Sequence, residues 1–140
     1  MKYILVLVSL FIFKPQVEAQ IKPVRTGSHA FTIQWISFNT DNPGKVNIKL
    51  IGDDEYSIEG AQHDAKTNEY VTIKGTFLNK GRTLKFNGNI VSKINSINGG
   101  KPCERTGLQI FKASGVRKYW RLQQMLNCDG QITDYIDIFF

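Results

Sequence analysis

Past Pro23 the chain alternates apolar and polar positions in short runs, each closed by a cluster of Gly, Asn, Asp or Pro, with no sustained helical period. Alternation of period two between turn residues marks half-buried strands. It predicts eight of them: Phe31 to Phe38, Lys45 to Ile51, Glu55 to Glu59, Glu69 to Leu78, Thr83 to Ile97, Thr106 to Ala113, Val116 to Leu126 and Ile132 to Phe140. Most connections are short, which makes sequence neighbours antiparallel neighbours in space.

Residues paired across a hairpin share a face, so the parity of the apolar positions tests each turn. A loop centred between Thr40 and Asp41 pairs Trp35 with Val46, Ile33 with Ile48 and Phe31 with Leu50. One centred on Asp53 pairs Leu50 with Tyr56 and Ile48 with Ile58. A two-residue turn at Lys80-Gly81 pairs Phe77 with Leu84, Gly75 with Phe86 and Ile73 with Gly88. Each glycine then faces a large side chain, an arrangement that strongly bent sheets use to cover their glycines. A loop centred on Asp129 sets Trp120 against Ile138 and Leu122 against Ile136, with Arg121 against Asp137 and Gln123 against Tyr135 on the other face. The fold expected is an all-β antiparallel meander of about eight strands closing as a small barrel, the alternative being a two-sheet sandwich. Gly88 marks the bend of the long fifth strand, and Phe31, Trp35, Phe77, Phe86 and Trp120 are expected to fill the interior.

The 140 residues divide into a leader and one domain. Residues 1–19 have the form of an export signal, with Lys2, an apolar run from Tyr3 to Phe13 and a polar stretch ending Val17-Glu18-Ala19. As a helix that run would span about 16 Å, against roughly 30 Å of bilayer hydrocarbon, so it is too short for an ordinary membrane anchor. Cleavage after Ala19 leaves residues 20–140 as a single barrel-like domain, of a size for one core. The full chain carries +6, and it stays basic when Lys2, Lys14 and Glu18 leave with the leader. That balance favours anionic surfaces, and it also serves simple solubility.

Cys103 and Cys128 are the only cysteines. In an exported chain they read as one disulfide that staples the hairpin turning at Ser114-Gly115 and fastens the approach to the last strand. They lack Cys-x-x-Cys spacing and a nearby His, which argues against redox or zinc chemistry. No Asn-x-Ser/Thr acceptor occurs.

Candidate chemistry is sparse. His63-Asp64 lies in the connection from Gly60 to Asn68 and is the one pair suggesting a small hydrolase, yet no Ser or Cys nucleophile can be placed beside it. It reads as a solvated loop pair, and His29 as a solvated residue of the lead-in to the first strand. Asp53-Asp54-Glu55 reads as turn chemistry and not as a calcium loop. Asn98-Gly99-Gly100-Lys101 lacks the strand-to-helix setting of a phosphate loop. The most suggestive surface is a ridge of Arg117, Lys118, Tyr119, Arg121 and Gln123 facing Tyr135 and Asp137 across the last hairpin. Interleaved cations and aromatics grip anionic sugars, lipid headgroups or nucleic acid, and export argues against the last as a physiological partner. Arg117, Tyr119, Arg121 and Tyr135 are the candidate ligand-binding residues. The plainer account is that they are cross-strand pairs on the wet side of a sheet.

Two resemblances bear on class. Trp35 near the start and Thr133-Asp134-Tyr135 near the end resemble lipocalin positions, although there is no Gly-x-Trp and the Thr-Asp-Tyr leads directly into the last strand, so the likeness implies architecture alone. The last quarter of the chain, Lys118-Tyr119-Trp120-Arg121-Leu122-Gln123 with Cys128-Asp129-Gly130 and Asp134 to Phe140, resembles small exported bacterial β proteins of unassigned function. The function expected is that of an exported, non-enzymatic binding protein without a cofactor. Its ligand would be a small apolar molecule in the barrel or an anionic glycan or lipid headgroup on the Arg-Tyr face. The alternative is an integral outer-membrane barrel, because Ile132, Ile136 and Ile138 lead to a terminal Phe140. Several early strands are too short to span, against roughly 9 to 11 residues required.

Overall fold

The computed structural model describes residues 10–15, 21–36 and 43–140. Eight strands form a closed antiparallel barrel in sequence order: β1 (Gly27–Ile33), β2 (Gly44–Gly52), β3 (Glu55–His63), β4 (Tyr70–Asn79), β5 (Thr83–Lys93), β6 (Cys103–Lys112), β7 (Tyr119–Leu122) and β8 (Ile136–Phe139). β8 returns to β1 through Phe31 opposite Ile138 and Ile33 opposite Ile136, so the sheet has no free edge. The predicted all-β barrel stands. The leader expected over residues 1–19 falls largely on residues outside those described, as do Ser37, Phe38 and the predicted loop tip Thr40-Asp41.

Two predicted registers hold. Ile48 pairs with Ile58 and Leu50 with Tyr56 across a bulge at Gly52, and Trp120 pairs with Ile138 and Arg121 with Asp137. Two others slip by even numbers of residues, which preserves facing along the paired stretches, although Leu50, predicted inward, is 59% exposed beside the bulge. In the first hairpin Gly27 pairs with Ile48, His29 with Val46 and Phe31 with Gly44. β1 starts early and leaves the sheet at Ile33, whose N–H donates to Gln62 Oε1 (2.9 Å) while Ile36 N–H turns back onto Ile33 O (3.2 Å). Trp35 therefore stands outside the barrel, 41% exposed, and is no part of the core. In the fourth hairpin Phe77 pairs with Phe86, Gly75 with Gly88 and Ile73 with Ile90. The turn is longer than two residues: Lys80 N–H reaches Thr83 O (2.9 Å), Asn79 Oδ1 accepts from Gly81 N–H (2.9 Å), and Gly81 takes φ 81°.

That slip sets the glycines against one another. Gly75, Gly88 and Gly107 lie in a row across β4, β5 and β6. A Cβ on Gly75 would meet Gly88 Cα and Phe86 Cε2, each at 2.8 Å. A Cβ on Gly88 would meet Gly75 Cα at 2.7 Å and Phe86 Cζ at 2.8 Å. One ring, Phe86, thus covers the two glycines that the sequence assigned to two partners, and β5 and β4 touch backbone to backbone where the sheet bends.

The remaining differences are at strand ends. β5 stops at Lys93, where Ile97 N–H closes a turn onto Ile94 O (3.1 Å), and β6 begins at Cys103. β7 and β8 are far shorter than predicted, with only an isolated bridge from Leu126 to Thr133 beyond them. The carbonyls of Gln124, Met125 and Leu126 turn to the Arg105 guanidinium at 3.0 to 3.2 Å, which removes that segment from the ladder.

Inward positions form one apolar cluster, with Phe31, Phe77, Phe86, Phe111 and Leu122 fully buried. The barrel has two unlike ends. At the end with the tight turns, the segment before β1 straps across the mouth: Lys22 O accepts from Asn79 Nδ2 (2.9 Å), Val24 N–H donates to the Tyr56 hydroxyl (3.2 Å), and Val24 is buried. The opposite end carries the longer connections and the Cys103–Cys128 disulfide, with Cα atoms 5.5 Å apart. Outward positions include Lys45, Lys49, Glu59, Lys74, Lys85 and Lys112, all exposed.

Candidate functional site

The predicted ridge is assembled as the register requires. β7 and the chain entering β8 bring Arg121 over the Tyr135 ring at 4.2 Å and near Tyr119 at 5.1 Å, with Arg117 also 5.6 Å from the Tyr119 ring. Gln123 does not face Tyr135, because Gln123 N–H donates to Ile110 O (2.8 Å) and Tyr135 N–H to Gln34 Oε1 (2.7 Å). Asp137 engages Arg121 through two parallel bonds, Nε to Oδ1 at 2.8 Å and Nη2 to Oδ2 at 2.9 Å. The hydrogen bond to Asp137 raises the Arg121 pKa above its ordinary value, opposed by partial burial. The central cation of the ridge is therefore neutralised by its own neighbour, and the stack is closed on itself. Arg117 is left as an exposed charge at its margin.

A cleft at the strapped end of the barrel offers more. It encloses about 430 Å³ and is lined by Lys22, Pro23, Arg25, Gly81, Arg82, Ala113, Trp120 and Phe140. Its floor is apolar: the Trp120 ring lies 4.4 Å from that of Phe140 and is anchored by Nε1–H donating to Gly81 O (3.2 Å). Three cations surround it. Arg82 is fixed across the β6–β7 turn, donating from Nε to Ala113 O and from Nη2 to Gly115 O, both at 2.8 Å. Arg25 donates to Ser28 O (3.0 Å), and Lys22 rides on the strap. The ion pairs among the described residues are Lys74–Glu59, Arg105–Asp134 and Arg121–Asp137. None of them uses the cleft's cations, and no carboxylate side chain lines the cleft.

His29 belongs to this end and corrects its predicted place in a solvated lead-in. It is 2% exposed within β1, with Nδ1 2.7 Å from Phe139 O and Nε2 2.6 Å from Arg25 O. It ties the strap that carries Arg25 to the last strand. By contrast His63 is exposed at the end of β3, and Asp64 Oδ1 accepts from Lys66 N–H (2.9 Å) in an ordinary turn.

The opposite end is sealed by a polar knot. Asp134, fully buried, accepts from Trp35 Nε1 (2.9 Å), Arg105 Nη2 (2.8 Å) and Asn127 Nδ2 (2.8 Å). Trp35 and Asp134, the two positions of the lipocalin likeness, thus touch each other. Asp129, at the tip of the loop between β7 and β8, has its pKa lowered by the backbone N–H groups of Ile132 and Gln131.

Sequence reasoning missed Lys22, Arg25 and Arg82 because they are far apart in the chain and meet only through the strap. It placed Trp120 in the core, where the side chain is indeed buried, without showing that its ring also borders the cleft. No short-range motif marks either feature.

An eight-stranded antiparallel barrel, closed without a crossover and stapled by one disulfide, is the class of protein that these features define. Within it the chain belongs to the PM1083 family, whose model matches residues 15–140. It is 35% identical over 132 residues to Uncharacterized protein PM1083 of Pasteurella multocida strain Pm70, which covers 92% of this chain and 82% of that protein. No solved structure matches the chain. The disulfide points to an oxidising compartment outside the cytoplasm. Among the described residues no helix is long and apolar enough to cross a membrane.

Proposed function

We propose that the protein is an exported, non-enzymatic binding protein whose ligand is a small amphiphilic anion seated in the strapped-end cleft. The observation that carries this reading is the set of three cations, free of carboxylate side chains, above an apolar floor of Trp120 and Phe140. Cationic groups set beside apolar surface favour a carboxylate or phosphate attached to a hydrocarbon or ring. The Arg-Tyr ridge supports anion binding less well, because Asp137 already occupies Arg121. An outer-membrane barrel fits poorly: Ile136 and Ile138 point inward, and an exposed Lys at the bilayer midplane costs about 2 to 4 kcal/mol.

The test is titration with decanoate, with decyltrimethylammonium as the cationic counterpart, followed by calorimetry and Trp fluorescence. Decanoate is expected to bind saturably and more weakly at high salt, and the cationic amphiphile not to bind. Lys22→Glu with Arg25→Gln should weaken decanoate at least tenfold while Arg117→Ala leaves it unchanged. Equal binding of both amphiphiles, or indifference to the Lys22 and Arg25 substitutions, overturns the reading.

A further inference from the structure

Each ring nitrogen of His29 lies against a backbone carbonyl, Nδ1 2.7 Å from Phe139 O and Nε2 2.6 Å from Arg25 O. Both contacts are direct, with no space for an intervening water. A carbonyl oxygen only accepts, whereas a neutral imidazole has one N–H and one lone pair. In either neutral tautomer one nitrogen would therefore turn its lone pair on an oxygen, within a site that leaves the residue 2% exposed. The doubly protonated ring donates to both carbonyls, so the arrangement is that of an imidazolium.

Arg25 is the charged group that faces this ring, its Nη2 3.3 Å from Nδ1 while it also donates to Ser28 O. Against the imidazolium that contact sets donor against donor. Once Nδ1 has lost its proton, the same contact is a hydrogen bond. From β3 the Tyr56 hydroxyl accepts from Val24 N–H (3.2 Å), β2 places Val46 opposite His29 with Lys45 exposed beside it, and Asp137 of β8 is engaged by Arg121. Among the described residues no carboxylate pairs with the ring. Imidazole is the side chain whose charge changes between about pH 5 and 8.

The two carbonyls belong to opposite walls of the cleft. Arg25 lines it from the strap, and Phe139 precedes Phe140, whose ring lines it beside Trp120. The paired stretch of β1 and β8 ends at Phe31 opposite Ile138, so His29 makes its link to the last strand beyond the ladder.

We propose that His29 is a proton-operated clasp on the anion cleft. Charged, it holds the strap to the last strand and keeps Lys22 and Arg25 beside the Trp120–Phe140 floor. On losing its Nδ1 proton it releases Phe139 O, accepts from Arg25 Nη2 instead and draws that cation away from the bound anion. The effect on binding rests on the reading of the cleft given above. The clasp is closed while the ring carries both protons, so anion binding is strongest in mildly acidic solution and weakens as pH rises.

The test uses the intact, disulfide-bonded protein between about pH 5.5 and 8.5, the span in which imidazole titrates. Nitrogen NMR of the ligand-free protein reads the His29 ring, and exchange of Val24 N–H, corrected for its intrinsic pH dependence, reads the strap. Both ring nitrogens should be protonated at the acid end, and protection of Val24 should fall as the ring loses its proton. Calorimetry with decanesulfonate, which stays ionised throughout, should show binding about five- to tenfold weaker at the alkaline end. That dependence should vanish in His29→Gln and persist in His63→Gln, whose site lies at the far end of β3. A ring that is neutral at the acid end or charged throughout overturns the proposal. So does Val24 protection that ignores the ring's proton, or decanesulfonate bound with one affinity across the range. Val24 following the ring while decanesulfonate binds at neither pH would uphold the clasp and overturn the cleft reading.

Discussion

Removing the Asp134 carboxylate should be among the most damaging single changes available to this barrel. Asp134 is 0% exposed and is the common acceptor for Trp35, Arg105 and Asn127 at 2.8 to 2.9 Å. In Asp134→Ala those three donors lose their partner at once, and Arg105, with a side chain 8% exposed, keeps a charge that nothing balances. Breaking a buried pair from one side costs about 3 to 5 kcal/mol, against roughly 5 to 15 kcal/mol for the whole domain. The expected loss is therefore about 3 to 5 kcal/mol, measured by urea unfolding of the oxidised protein with Trp fluorescence as the signal. Changing Arg105→Met together with Asp134→Leu should recover only part of this. The guanidinium also satisfies the carbonyls of Gln124, Met125 and Leu126, which the apolar pair would leave bare. A loss below about 1 kcal/mol for Asp134→Ala would refute the view that the knot holds the long-loop end. Full recovery in the double variant would refute the role given to the three carbonyls.

Three further outcomes are expected. Replacing Cys103 and Cys128 by Ser should lower stability by about 3 to 4 kcal/mol on the chain-entropy account of a 25-residue separation, read as a lower urea midpoint with a steeper slope, because the unfolded chain without its cross-link exposes more surface. Gly88→Ala places a methyl group against Lys74 O and 2.7 Å from Gly75 Cα, both backbone, so it should cost more than about 2 kcal/mol and lower the thermal midpoint. The pKa of Asp129 is lowered in the folded state by N–H donors that its carboxylate accepts, so its contribution is present above its ordinary value near 3.8 and fades as pH falls through the lowered value. Asp129→Asn should be less stable than the wild type at neutral pH, and the gap should close as the solution is acidified; a gap that is constant with pH would contradict this.

Fold class was legible because a period of two leaves a direct mark in the sequence, and closure followed from short turns and bend-forming glycines. Facing was recovered almost everywhere, yet exact register was not, since a slip by two residues preserves every face and only turn chemistry decides it. The turn after Asn79 shows this: the Asn79 side chain and Gly81 together select a longer connection than Lys80-Gly81 alone suggested. The shortened β7 and β8 were hidden for another reason. Their fraying is imposed by Arg105, about twenty positions away in sequence, whose inward position no alternation rule marks as special. The site was the least legible part. His29 looked like a loop residue and is a buried tie between strap and last strand, while Lys22, Arg25 and Arg82 become neighbours only after the barrel closes.

The pairing of β1 with β8 also has a kinetic consequence. The first and last strands of the barrel meet through Phe31 and Ile138, so the ring cannot be completed until nearly the entire chain is available. Contacts that join distant parts of the sequence are slow to form. Until they do, β1 and β7 each present an unpaired edge with apolar residues behind it. A chain delivered end-on across a membrane would pass through this open state each time, and losing β8 would make it permanent. The last four strand residues thus act as a latch, and C-terminal truncation should convert a closed barrel into an edge-sharing, association-prone sheet.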